Sequence, residues 1–190
     1  MYSFWLVADA FLIAPFRLFP SAIYSFWLGC VLLALYCVLL GELCFLIVYR
    51  FNRGYYVGLN QEMARMHNIS VEAIRHKNRG VFKDANWWAN EYFGKVFFSQ
   101  IALFAVSLWP VPFALAWLQQ RFLGIAIYSF WGLELGYSFV FIVSYLLVRY
   151  LFSRVRCKIP VLKKLDEMRI EDGKKVGDIT SWSELDSNGK

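Results

Sequence analysis

Hydrophobic residues are grouped into long runs, and the segments between these runs carry nearly all of the charged residues. Three runs, Ile23–Tyr49, Val96–Leu118 and Ile125–Val148, each contain at most one ionisable side chain. A helix needs about 20 mostly apolar residues to span a bilayer. The pattern therefore predicts three transmembrane helices.

A fourth apolar run, Tyr2–Phe16, is shorter, contains Asp9 and reaches Pro15 near its end. A run of this length suits a short helix that is inserted into the membrane or lies in its interface. We therefore expect a short N-terminal helix that packs like the span at Val96–Leu118.

The hexapeptide Ala-Ile-Tyr-Ser-Phe-Trp occurs twice, at Ala22–Trp27 and at Ala126–Trp131. Residues 3–27 aligned with residues 107–131 give 11 identities in 25 positions. Such self-similarity indicates duplication of a unit. The sequence predicts an all-α integral membrane protein made of two repeated helical hairpins, with a helical loop between them.

This prediction divides the chain into four segments. They are a first membrane hairpin (1–50), a loop with an interfacial helix (51–95), a second membrane hairpin (96–152) and a basic, then polar tail (153–190). Composition agrees with a membrane class, since 59% of the residues are hydrophobic and the mean hydropathy is +0.45. Soluble domains average about 45–50% apolar residues even with glycine counted.

The net charge of +6 comes from Lys and Arg concentrated in the loop 51–95 and in the tail. Cytoplasmic segments of membrane proteins carry an excess of these residues. We therefore expect both segments in the cytoplasm of a bacterial inner membrane. Anionic lipid, and not nucleic acid, is the natural neighbour of such a basic segment.

The loop itself reads as two short helices. Ser70 is a candidate N-cap for a helix over Val71–Asn78 that Gly80 would end. Asp84 is a candidate N-cap for a second, interfacial helix over Ala85–Lys95. Farther along, Trp109-Pro110-Val111-Pro112 must break or kink its span, because proline lacks a backbone donor.

Small residues recur along one face of the first span at steps of four and three. A second set lies in the last predicted span. Faces of this kind allow close helix packing in lipid, within the chain or between chains. The predicted packing residues are Cys30, Ala34, Cys37, Gly41, Cys44, Gly132 and Gly136.

Glu42 and Glu134 are ionisable groups inside predicted spans, where a charge is costly unless it is paired, neutralised or wet. Three roles stay open: an ion or proton relay, a counter-charge for a partner helix, or a protonated or snorkelling carboxylate bonded to a neighbouring hydroxyl. Arginine and tryptophan at the ends of spans favour lipid headgroups. The predicted headgroup residues are Arg17, Arg121, Trp27, Trp131, Trp87 and Trp88.

Catalytic and cofactor chemistry finds no support in the residue pattern. The cysteines have no Cys-x-x-Cys spacing, and His67 and His76 have no companion ligands. No nucleophile–base set or phosphate-binding glycine loop is present. The sequence predicts a protein that is not an enzyme and needs no metal or other cofactor.

A long span, a basic helical loop and two closely spaced spans over Ile23–Val148 resemble the layout of the Oxa1/YidC/EMC3 membrane insertases. The likeness concerns helix order alone. The loop is shorter than in that group, and no arginine lies in the middle of a predicted span.

We expect a non-enzymatic subunit of a larger membrane complex. Small-residue faces and intramembrane carboxylates would join it to membrane lipids, to other integral membrane subunits or to copies of itself. The alternative is a small transporter, channel or Oxa1/YidC-like insertase built on the duplication.

Overall fold

The computed structural model describes residues 2–124, 128–130, 133–177 and 179–180. These residues are predominantly helical. The helices are α1 (Tyr2–Ile13), α2 (Ala22–Arg75), α3 (Arg79–Leu108), α4 (Pro110–Phe122), α5 (Tyr137–Val155) and α6 (Pro160–Lys175). Short 3₁₀ turns cover Ala14–Arg17 and Arg156–Lys158, and two strands cover β1 (Tyr128–Phe130) and β2 (Leu133–Leu135).

Among the described residues, three helical stretches are long and apolar enough to cross a membrane: Ala22–Arg75, Arg79–Phe122 and Tyr137–Val155. This confirms the predicted number of long apolar helices and indicates a membrane protein. The first helix, α1, has 12 residues, which agrees with the short N-terminal helix expected from the sequence.

The third long helix begins later than predicted. The sequence predicts a helix from Ile125, but α5 starts at Tyr137 and continues to Val155. The described residues before it form β1 and β2, an antiparallel pair in which Ser129 faces Glu134. Gly124 has a φ of 79°, a conformation that glycine adopts without penalty, and Gly136 is the N-cap of α5 in ordinary extended backbone, with a φ of −82° and a ψ of 177°.

The described parts of the repeated hexapeptide differ in conformation. Tyr24, Ser25 and Phe26 of the first copy are helical, within α2, whereas Tyr128, Ser129 and Phe130 of the second copy form β1. The other residues of the second copy fall outside the described residues. The structure therefore leaves the predicted duplication as a prediction from sequence.

The chain forms two compact units. Unit 1 holds the described residues within Met1–Phe45 and Ala105–Ile159. Its core is apolar and draws on α2, α4 and α5. The buried side chains at its centre include Cys30, Ala34, Val38, Leu118, Val140 and Phe141.

Unit 2 holds the described residues within Leu46–Phe104 and Pro160–Lys190. In it the later part of α2 turns back into α3 as a helical hairpin, and α6 also belongs to this unit. Buried side chains include Leu59, Ala64, Val71, Ala89, Leu162 and Leu165.

The turn of this hairpin corrects the predicted loop. Ser70 and Asp84 are the predicted N-caps, but Ser70 is buried inside α2 and Asp84 lies inside α3. The chain turns at 76–78 instead. The amide of Asn78 donates to Ala73 O and that of Lys77 donates to Ile74 O, at 2.9 Å each. With Lys77 at a φ of 52°, these bonds form a Schellman end.

Asn78 also starts the next helix, since its Oδ1 accepts a hydrogen bond of 3.2 Å from the amide of Val81. This is the bond that an N-cap side chain makes to the third helical residue. One residue therefore ends α2 and begins α3.

The predicted break at Trp109 is confirmed. Helix α3 ends at Leu108 and α4 begins at Pro110. Proline is tolerated at the first helical position because no intrahelical donor is needed there.

Candidate functional site

Three of the predicted small residues, Cys30, Ala34 and Cys37, lie in the core of unit 1 and are at most 4% exposed. They face side chains of α4 and α5 in that core. Cys44 is half-buried and accepts a hydrogen bond of 3.1 Å from Trp109 Nε1. This face of α2 is therefore covered by helices of the same chain.

Gly41 marks a close approach of two backbones in this unit. A Cβ atom placed on Gly41 would overlap the carbonyl oxygen of Ser107 in α3. Only glycine leaves room for this approach, which is the usual role of small residues between helices in lipid. The contact brings the next residue, Glu42, to the level of Ser107.

Glu42 is buried, at 7% exposure, and its Oε2 lies 3.5 Å from Nη1 of Arg156. Arg156 begins the 3₁₀ turn that follows α5. Burying a lone carboxylate is costly, and a nearby guanidinium offsets part of that cost. Of the roles left open by the sequence, a counter-charge is what the geometry provides, and the cation comes from the same chain.

Arg149 forms a second polar contact at this level. Its guanidinium donates to Ser107 Oγ at 3.1 Å and to Tyr145 Oη at 3.3 Å. The predicted span ends at Val148, directly before Arg149, but α5 extends to Val155, so Arg149 lies inside the last long helix. Unit 1 thus holds two arginines and one buried glutamate where α2, α3 and α5 meet.

A cavity of about 530 Å³ lies beside the break at Trp109 and Pro110. Side chains of α1, α2 and α4 line it. They include Leu12, Leu33, Tyr36, Leu40, Phe113 and Trp117. The lining is apolar apart from a few groups such as Gln120, so the cavity suits an aliphatic or aromatic group better than an ion.

Asp9 lies at the edge of this region in α1. It accepts a hydrogen bond of 3.0 Å from Trp117 Nε1 and forms an ion pair with Arg121. Arg121, predicted to anchor to headgroups, therefore has a carboxylate partner within unit 1. Arg17 is exposed at the end of the first 3₁₀ turn.

The remaining predicted residues are distributed as follows. Trp27 is half-buried against the core of unit 1, and Trp87 and Trp88 are exposed on α3 in unit 2. Trp131 and Gly132 fall outside the described residues. Gly136 precedes α5 and Glu134 lies in β2. Neither of these last two lies in a helix, which differs from the predicted span Ile125–Val148, and their predicted roles stay predictions.

Among the described residues, no group of three or more His, Cys, Asp and Glu side chains is placed to hold a metal ion. The structure instead places three residues that were not predicted, Ser107, Arg149 and Arg156, in the polar cluster that contains Glu42. The sequence signal that could have found Arg149 is its position directly after the apolar run Ile125–Val148, because a helix that starts later along the chain also ends later.

Comparison with known protein families, with curated proteins and with solved structures finds no match to this chain. Function is therefore inferred from the geometry of the molecule itself.

Proposed function

We propose that the chain is a non-enzymatic membrane protein that receives apolar segments of other membrane proteins, as an insertase with the layout of the Oxa1/YidC/EMC3 group would. The cavity beside the Trp109–Pro110 break carries this proposal, because an apolar cavity at a broken helix can accept an aliphatic surface.

Two features of the structure agree with the insertase layout. The loop after the first span is helical on both sides of its turn, since α2 continues to Arg75 and α3 starts at Arg79. In addition, Arg149 lies inside the last long helix rather than after it. Both observations support the insertase alternative over a transporter or channel.

The small-residue face of α2 and the intramembrane carboxylate that indicated a complex subunit have partners within the same chain. The small residues of α2 pack in the core of unit 1, and Glu42 has Arg156 as its counter-charge. The observation that still favours a subunit is the exposed pair Trp87 and Trp88, at 59% and 43% exposure. Exposed aromatic residues are enriched where proteins bind partners, so a subunit of a membrane complex stays the second candidate.

The test of insertion uses proteoliposomes with the purified chain and a labelled substrate that has one membrane span and a short translocated end. We expect more protease-protected substrate than in protein-free liposomes. A photo-crosslinker at Phe113, in the cavity, should form an adduct with the substrate that fades as insertion completes. The same crosslinker at Leu146, exposed on α5, serves as the control.

Insertion equal to that of protein-free liposomes would overturn the insertase proposal. A lasting adduct with one other membrane protein in cells would favour the subunit. In that case, a double substitution of Trp87 and Trp88 by serine should release the partner in mild detergent, whereas Phe51→Ser, at another exposed aromatic residue, should not.

We retain the cytoplasmic orientation of 51–95 and 153–190 in a bacterial inner membrane as part of this proposal. Reporter fusions at Arg79 and Lys175 should both report the cytoplasm. Contacts between α2 and the tail within unit 2 support a common side. Reporters on opposite sides of the membrane would contradict it.

A further inference from the structure

The described part of the tail over residues 172–180 lies along one face of α2 in unit 2. Asp172, the first of these residues, is held in place by polar contacts. The Asp172 carboxylate, at 4% residue exposure, accepts two hydrogen bonds from Arg53 at 2.7 and 2.6 Å. It accepts a third from Tyr49 Oη at 2.9 Å. A bidentate, charge-assisted pair of this kind is among the stronger polar contacts in proteins.

Beyond Asp172, α2 contacts main-chain atoms of the tail. Gln61 Nε2 donates to Lys175 O at 3.0 Å. Asn68 Oδ1 accepts from the amide of Thr180 at 2.9 Å, and His67 Nε2 lies 3.1 Å from Thr180 O. Both backbone groups of Thr180 are thus bound by side chains of α2. Asp172 and Lys175 lie in the last turn of α6, so the contacts with α2 run from the end of a helix to the main chain of Thr180.

The tail also closes a cavity of about 360 Å³. On the α2 side its lining includes Tyr49, Tyr56, Asn60 and Met63. On the tail side it includes Gly173, Val176 and Ile179. Release of the tail would therefore expose a partly aromatic surface bordered by Arg53 and by the side chains that bind the backbone.

We propose that this face of α2, the tail groove, is a peptide-binding groove that the chain's own tail occupies. Tyr49, Arg53, Gln61, His67 and Asn68 define the groove. Its second occupant is a segment of another polypeptide that presents a carboxylate at the end of a helix, because Arg53 and Tyr49 both bind the Asp172 carboxylate there. The inference is independent of the proposed function, since it holds for an insertase and for a complex subunit alike.

The test measures binding of a fluorescent synthetic peptide with the sequence of residues 169–181 to the full-length protein in detergent. In the wild type, the attached tail competes with the added peptide. Asp172→Asn in the protein weakens this competitor, so we expect the peptide to bind about tenfold more tightly. Glu167→Gln is the matched control, because Glu167 is exposed and pairs with Lys163 in α6.

Two further variants identify the groove. Adding Arg53→Gln to the Asp172→Asn protein should abolish peptide binding, whereas adding Arg65→Gln, at an exposed position of the same helix, should not. A peptide with asparagine in place of its own aspartate should also bind poorly. Equal binding by wild type and Asp172→Asn, or by both peptides, would overturn the proposal.

A measurement on the unaltered protein provides an independent check. An excess of the peptide should increase hydrogen exchange at the amides of residues 172–180, because the added peptide displaces the attached tail. Unchanged protection at saturating peptide would show that the tail is a fixed part of unit 2 and would overturn the proposal.

Discussion

At the scale of single residues, buried polar groups in unit 1 find partners far away in the sequence. Glu42 lies in an apolar stretch of α2, and Arg156 follows α5. Removal of one member of a buried ion pair costs more than the pair contributes, because the other charge stays in a poorly solvated place.

We expect Glu42→Gln to lower the free energy of unfolding by about 3 kcal/mol. Chemical denaturation in detergent, followed by circular dichroism, measures the change. Glu167→Gln, which removes an exposed carboxylate, should change it little. A double-mutant cycle with Arg156→Gln should show coupling between the two residues, and additive effects would contradict a direct ion pair.

Gly41 and Gly58 give a second comparison on the same helix. A methyl group at Gly41 would meet the carbonyl of Ser107, whereas one at Gly58 would meet nothing within 4 Å. Gly41→Ala should therefore destabilise the protein by about 1–3 kcal/mol. Gly58→Ala should be neutral or slightly stabilising, since alanine has the higher helix propensity. Equal thermal stability of the two variants would show that the close approach at Gly41 is not required.

At the scale of elements, helix ends depend on a few side chains and backbone conformations. Ser70 and Asp84 are the N-caps predicted from the sequence, and Asn78 is an equally suitable residue type. The chain uses Asn78, because the turn at 76–78 satisfies the last carbonyls of α2 at the same place.

Asn78→Ala should lower stability by about 1 kcal/mol, through loss of the bond to the amide of Val81. Asp84 and Asn90 lie inside α3. Asp84→Ala and Asn90→Ala should therefore change the stability little. Hydrogen exchange at the first amides of α3 localises the change. A larger effect of Asp84→Ala would support the helix start predicted from the sequence.

The hexapeptide shows the same dependence on surroundings. In its first copy, Ser25 donates to Phe16 O at 2.6 Å and bonds the turn before α2 to the helix. The second copy is flanked by Gly124 and Gly132, and its described residues are extended. Local propensity is a weak determinant where tertiary contacts differ.

At the scale of the whole molecule, residues that are far apart in the sequence assemble each unit. Unit 2 combines the segment between the first two spans with the tail. Its principal polar contact is between Asp172 and Arg53. Hydrogen bonds from Arg53, and then from Tyr49, hold the pKa of the Asp172 carboxyl below its ordinary value, although burial opposes them.

This shift predicts how tail docking depends on pH. Because the pKa of Asp172 is lower in the folded state, ionised Asp172 stabilises docking above the ordinary aspartate value of roughly 3.9. The contribution is lost as the pH falls through the folded pKa. We expect protection of residues 172–177 against hydrogen exchange to be constant from pH 7 to 5 and to fall below about pH 4. In Asp172→Asn this decrease should be absent; the same decrease in that variant would assign it to another group.

The features that the sequence predicts correctly depend on composition and on the identity of neighbouring residues along the chain. Three long apolar helices follow from run length and hydropathy, because lipid requires a helix with satisfied backbone groups. The break at Trp109 follows from proline, which lacks an amide donor wherever it stands. The short helix α1 follows from the length of its apolar run.

Tertiary structure alone determines which residues meet. The partner of Glu42, the position of Arg149 inside α5, the contact at Gly41 and the docking of Asp172 on Arg53 all join residues that lie far apart in the chain. The start of α5 also depends on surroundings, since the hydropathy of residues 125–148 permits a helix throughout. Hydropathy reports the solvent that a residue prefers, but pairing depends on the geometry of packed elements, and that geometry appears only in the folded chain.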